Sequence, residues 1–220
     1  MGAVAAWLAM RLALAGWRLR ALKPLIGVGL AAWALQAFGP VFTTSAGQGQ
    51  VQLLQANISQ TDKFQAASGV RDALQWYDAQ LRASQQPLVV APETAIPLLP
   101  HHLPEGYWSG LQAHFDQPGR PVALVGLPLG SLEEGYSNSV VTLGPQGATA
   151  YRYDKSHLVP FGEFMPPGFA WFIRMMNIPL GDFKSGGWDQ PSLAWQGQRL
   201  GPNVCYEDLF GEELALRFKN

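Results

Sequence analysis

Up to about residue 45 the chain is apolar with almost no polar alternation. Beyond it, apolar positions recur with strand and helix periods. The run "LIGVGLAAWALQAFGPVF", residues 25–42, carries no charge. As a helix rising about 1.5 Å per residue it would span about 27 Å, close to the hydrocarbon thickness of a bilayer. Residues 1–17 are apolar apart from Arg11 and read as a second, partial helix. We therefore expect membrane helices over residues 1–45, with the spanning helix at about 24–42. Arg18, Arg20 and Lys23 lie between the two runs, and residues 1–49 hold no acid. The positive-inside rule puts that basic stretch in the cytoplasm and everything after residue 45 outside it. A secretory signal peptide fits less well, because apolar sequence precedes the basic stretch.

The pattern over residues 46–220 predicts a layered α/β domain. "QVQLLQANI" reads as a short buried strand. Val70, Leu74, Tyr77 and Leu81 recur at helical spacing within residues 65–84. "PLVVAPE", residues 87–93, is a β-branched run ending in a carboxylate, and "PVALVGLP", residues 121–128, is a second buried strand. Tyr107, Leu111 and Phe115 mark a short helix between them. Residues 137–155 read as a hairpin, with Gly144, Pro145 and Gly147 at its turn. A loop rich in aromatics and Met follows over 160–183. A strand then leads into Cys205, and a helix carries Leu209, Leu214 and Phe218.

Composition sharpens the division into two solvents. Charged residues make up 14% of the chain, against roughly 25% in an ordinary soluble domain. The net charge of −1 gives no field that would draw nucleic acid. A single cysteine excludes an internal disulfide, and the four histidines have no zinc-like spacing.

Three residues at expected strand ends carry chemistry: Glu93, Lys155 and Cys205. The carboxyl ends of strands are where sites collect in α/β sheets. A thiol is a weak nucleophile until it is deprotonated. A carboxylate within reach takes the proton, and an ammonium stabilises the thiolate and the oxyanion formed on attack at a carbonyl. Taken singly, each has a plainer reading: a lone cysteine packs as a small hydrophobe, a glutamate after "AP" sits in a turn, and a hairpin-end lysine is solvated.

The residues around them carry a resemblance. "VVAPETA", "YRYDKSHLVPFGEF" and "NVCYED" together resemble blocks of the nitrilase, or carbon–nitrogen hydrolase, superfamily. "YDKSHLVPFGEFMP" and "CYE" are similar to the lysine and cysteine blocks of its apolipoprotein N-acyltransferase branch. The resemblance implies a nitrilase-like α-β-β-α sandwich, incomplete at its C-terminal end and preceded by one or two transmembrane helices. It implies Glu93 as general base, Lys155 as oxyanion and thiolate stabiliser, and Cys205 as nucleophile. Glu163 and Glu207 would orient Lys155 or the thiol, and the backbone N–H of Tyr206 would serve the oxyanion. The implied reaction moves an acyl chain from a phospholipid, through a thioester, to the N-terminal amine of a diacylglyceryl-cysteine apolipoprotein. It uses no metal or cofactor. The place implied is the bacterial inner membrane, with the catalytic domain on the periplasmic side and the 160–183 loop against acyl chains or lipid. A nitrilase-type amidohydrolase would use the same triad with water as the second nucleophile. The family continues past the nucleophile and begins with more helices, so the resemblance implies a piece of a longer gene product, inactive alone.

Overall fold

The computed structural model describes residues 6–7, 10, 14, 19–40, 44–45, 47–58, 69–145, 150–164 and 183–218. The chain divides into two units, Met1–Gln48 and Gly49–Asn220.

In the first unit, helix α1 runs over Leu19–Phe38 and contains Pro24. The four described residues of 1–17 are also helical, and the rest of that expected helix lies outside the described residues. The expected span to residue 42 is cut short, since α1 stops at Phe38 with Gly39 and Pro40 next. Proline disfavours helical backbone at the residue before it, which ends the helix there. The uncharged part, residues 25–38, is about 21 Å long at helical rise. Among the described residues no helix is long and apolar enough to cross a membrane.

The second unit is built on a mixed five-stranded sheet in the order β1-β2-β3-β4-β5. These strands are β1 (Val51–Leu53), β2 (Leu88–Val90), β3 (Val122–Ser131), β4 (Gly135–Leu143) and β5 (Arg152–Asp154). The first three run parallel, with Leu88 beside Val51 and Val122, and β3-β4-β5 are antiparallel, with Val125 opposite Val141 and Tyr153 opposite Val140. Strand period two sorts β3 between two cores. Ala123, Val125 and Leu127 join Val89 and Leu143 beneath helices α2 (Gly69–Ala83) and α3 (Tyr107–Phe115), which contribute Leu74, Tyr77, Leu81, Leu111 and Phe115. Leu124 faces the other way, with Leu88 and Tyr153, against a two-stranded sheet of β6 (Leu193–Trp195) and β7 (Gln198–Leu200). A short 3-10 helix, Cys205–Leu209, and α4 (Gly211–Leu216) follow. Among the described residues the layers are therefore helix, sheet and hairpin.

Three expectations change. The strand in "QVQLLQANI" is an edge, with Val51 and Leu53 exposed and Leu54 the residue that turns inward. The hairpin through 137–155 forms, but β3 and β4 also pair with each other across a turn at residues 131–135. The strand before Cys205 ends at Leu200, so that cysteine opens a 3-10 helix instead of closing a strand. The 160–183 loop is described only at residues 160–164 and 183, and its acyl-facing role lies outside the described residues.

Candidate active site

Glu93 stands three residues past the last residue of β2, in a turn at the carboxyl end of the parallel strands. That turn lies flat on β3. Ala91 N–H donates to Leu124 O at 2.8 Å and Ile96 N–H to Gly126 O at 3.1 Å. A Cβ at Gly126 would meet Pro92 O at 2.4 Å, Thr94 N at 2.8 Å and Glu93 Cα at 2.9 Å. All three are backbone atoms, so only glycine admits this approach. Gly126→Ala is expected to cost about 1–3 kcal/mol by overpacking, read as a lowered thermal midpoint. An unchanged midpoint would show that the turn slides freely.

Lys155 follows β5 directly, and its side chain is 1% exposed. Its Nζ donates to Glu93 Oε1 at 3.1 Å and to the Glu163 carboxylate at 3.0 Å. Burial pulls the lysine pKa down. The hydrogen bond to Glu163 and the charges of Glu93 and Glu163 outweigh burial and hold it above the ordinary value. Glu163 is placed by a tight turn: its N–H donates to Val159 O at 2.8 Å, and Val159 N–H returns to its Oε2 at 2.8 Å.

Cys205 is free and exposed. The chain on either side of it is tied down through Glu207. The buried Glu207 carboxylate accepts from Val204 N–H at 2.9 Å and from Ser156 N–H, next to Lys155, at 2.7 Å. Tyr153 O–H donates to the same carboxylate at 2.5 Å, and burial, then that hydrogen bond, pushes the Tyr153 pKa up. Arg217 covers the Tyr153 ring at 4.2 Å and lies 3.8 Å from Glu207 Oε1. The Cys205 segment is thus pinned to the lysine segment through Glu207. Tyr206 packs its ring edge-on to Phe210 at 5.4 Å. A cavity of about 410 Å³ opens beside it, lined by Leu158, Pro160, Phe164, Tyr206 and Phe210, with His157 and Ser156.

Backbone strain gathers at the same place. Five described non-glycine residues have left-handed φ: Asn57, Thr94, Phe161, Gln196 and Cys205. Thr94 follows Glu93, Phe161 opens the turn of Glu163, and Cys205 itself has φ +53. Each costs an L-residue about 1 kcal/mol or more, and such positions persist where surrounding structure enforces them.

Among the described residues no group of His, Cys, Asp and Glu is arranged to hold a metal ion. Sequence reasoning missed Asn138, 6% exposed on β4, whose Nδ2 reaches both Glu93 and Glu163. It also missed Arg217 and the stacking of His157 on Phe210 at 3.5 Å. The signal for Asn138 was available: "SNS" puts three polar residues in a row just before the apolar run "VVTL" of the same strand.

Comparison with known proteins places this arrangement. Residues 50–218 match the carbon-nitrogen hydrolase family. The apolipoprotein N-acyltransferase of Verminephrobacter eiseniae is 59% identical over 169 residues, covering 76% of this chain and 31% of that protein. The protein of the same name from Ralstonia nicotianae is 44% identical over 217 residues, covering 97% of this chain and 41% of that one. A solved carbon-nitrogen hydrolase from Helicobacter pylori is 20% identical, with a TM-score of 0.45, covering 76% of this chain and 56% of that chain. The chain thus spans well under half the length of the curated relatives it matches. The family match over residues 50–218, most of the second unit, shows that this chain belongs to the carbon-nitrogen hydrolase family.

Proposed function

We propose that this protein transfers an acyl chain from a phospholipid to the N-terminal amine of a diacylglyceryl-cysteine apolipoprotein. Glu93, Lys155 and Cys205 are its catalytic residues. The observation that carries the reading is the buried Lys155 ammonium held by Glu93 and Glu163, with the strained Cys205 segment pinned to its neighbour Ser156. The 59% identity to an apolipoprotein N-acyltransferase favours an amine acceptor over water.

The chemistry follows from the groups. The Glu93 carboxylate takes the Cys205 thiol proton. The sulfur attacks the ester carbonyl carbon of the phospholipid, and Lys155 and the Tyr206 backbone N–H stabilise the oxyanion. The C–O bond to glycerol breaks, Glu93 returns the proton, and a lysophospholipid leaves. The acceptor amine then attacks the thioester and gives a proton to Glu93. The C–N bond forms, the C–S bond breaks, and the thiol is restored. Glu163 orients Lys155, and Glu207 holds the nucleophile segment. The apolar cavity of Leu158, Pro160, Phe164, Tyr206 and Phe210 suits a lipid donor more than a small polar amide.

The expected place is the bacterial inner membrane, with the catalytic unit on its periplasmic side. Helix α1 supports this, since Ile26, Val28, Leu30, Trp33, Leu35 and Phe38 are all exposed on it. A surface that apolar is suited to lipid or to other apolar helices more than to water.

The test uses the complete gene product in membranes, a phospholipid labelled in one acyl chain, and a diacylglyceryl-cysteine peptide. Label is expected first on the protein, then as an amide on the peptide. An enzyme that leaves the phospholipid intact but hydrolyses a simple amide is an amidohydrolase, and the proposal fails.

A further inference from the structure

Lys155 sits between two carboxylates, so the buried cluster carries more acid than base. Glu93 and Glu163 bring two negative charges against one ammonium, and their side chains are 31% and 14% exposed. Two carboxylates sharing one cation tend to pick up a proton or drift apart unless further donors hold them. Such a donor is present. Asn138 Nδ2 lies 2.5 Å from Glu93 Oε1 and 3.0 Å from Glu163 Oε1. An amide NH₂ has two protons, and the two carboxylate oxygens take one each. The acceptors also fix the amide orientation, because turning Oδ1 toward them would face oxygen with oxygen.

The fold places Asn138 for this. Ser139 pairs with Asp154 in the β4–β5 register, and one step on, Lys155 N–H donates to Asn138 O at 2.8 Å. Period two then puts the Asn138 and Lys155 side chains on one face, the face Tyr153 and Val140 use. Asn138 therefore touches Lys155 through its backbone and both glutamates through its side chain. Asp154 leaves by the opposite face, where Ser139 Oγ donates to it at 2.6 Å and Arg152 Nε at 2.8 Å.

We infer that Asn138 is a positioning residue that holds Glu93 and Glu163 together around Lys155, and so sets the rate at which Cys205 is acylated. The inference rests on the thioester reading above. It assigns the amide no contact with substrate.

The experiment measures the single-turnover rate constant and amplitude of Cys205 acylation in the complete gene product, for wild type, Asn138→Asp and Asn138→Ala. Aspartate keeps the shape and replaces two donors by an acceptor. Alanine removes the donors without adding charge. Both variants are expected to lose about 100-fold in rate near neutral pH, as for other displaced catalytic groups. The loss is expected in the rate constant, and to be larger for aspartate, which sets a third carboxylate beside Glu93 and Glu163. A fault of folding alone would lower the amplitude, the fraction of protein that can be acylated, and leave the rate constant in place. Rate constants that coincide with wild type in both variants, at whatever amplitude, overturn the role of Asn138 and leave the thioester reading standing. A wild type that forms no acyl-enzyme at any pH overturns that reading, and this inference falls with it.

Discussion

Cys205→Ala is expected to abolish acyl-enzyme formation, with the rate falling by about 10⁴-fold or more, to the level left by binding alone. These 220 residues offer no second thiol. The substitution is also clean. Cys205 is exposed, so removing the thiol leaves no cavity. Alanine meets the same left-handed backbone as cysteine, so the strain at φ +53 is unchanged. The thermal midpoint should therefore stay at the wild-type value while activity disappears. Cys205→Ser keeps the geometry but offers a hydroxyl that the Glu93 carboxylate cannot deprotonate usefully, and should be nearly as inactive. The measurement is labelled acyl chain retained on the protein and released by neutral hydroxylamine, which cleaves thioesters. Label persisting on the alanine variant would sink the assignment of Cys205.

Lys155→Met is the second large effect, and it strikes stability as well as chemistry. Methionine fills the buried volume but leaves Glu93 and Glu163 without their cation. Breaking a buried pair from one side costs about 3–5 kcal/mol. Partial exposure of Glu93 favours the lower end, so the thermal midpoint should fall by roughly 6–10 °C. Acylation should be lost too, since the thiolate loses its cation and the oxyanion keeps only the Tyr206 backbone N–H. The pH dependence has a definite sign. The folded pKa of Lys155 is raised above its unfolded value. Its contribution is therefore complete below the ordinary lysine value of about 10.4 and declines as pH rises through the folded value. Wild type should lose stability over that alkaline range, and Lys155→Met should lack this component. A methionine variant that melts like wild type at pH 7 would show that the cluster holds nothing together.

How far these residues were legible in the chain differs from one to the next. The two faces of β3 could be read directly, because Ala123, Val125 and Leu127 alternate with Val122 and Leu124 and period two needs only near neighbours. The helix of Leu74, Tyr77 and Leu81 was legible for the same reason. Glu93, Lys155 and Cys205 were visible through the motifs around them, and the first two meet at 3.1 Å. The burial of β1 was misjudged because an apolar run looks alike in the centre and at the edge of a sheet. The strand expected to run into Cys205 forms but stops at Leu200, and φ +53 at that cysteine belongs to a turn that no local propensity announces.

The sequence by itself therefore determined the periods, the class of layered α/β domain, and the carboxylate, ammonium and thiol proposed to carry the chemistry. These depend on side-chain type and on spacing within a few positions. Only the tertiary structure decided that Asn138 spans Glu93 and Glu163, that Glu207 ties the cysteine segment to Ser156, and that Gly126 lets the Glu93 turn lie on the sheet. Each of these joins residues far apart along the chain, where the pairing is set by strand order and register, which hydrophobic period does not encode.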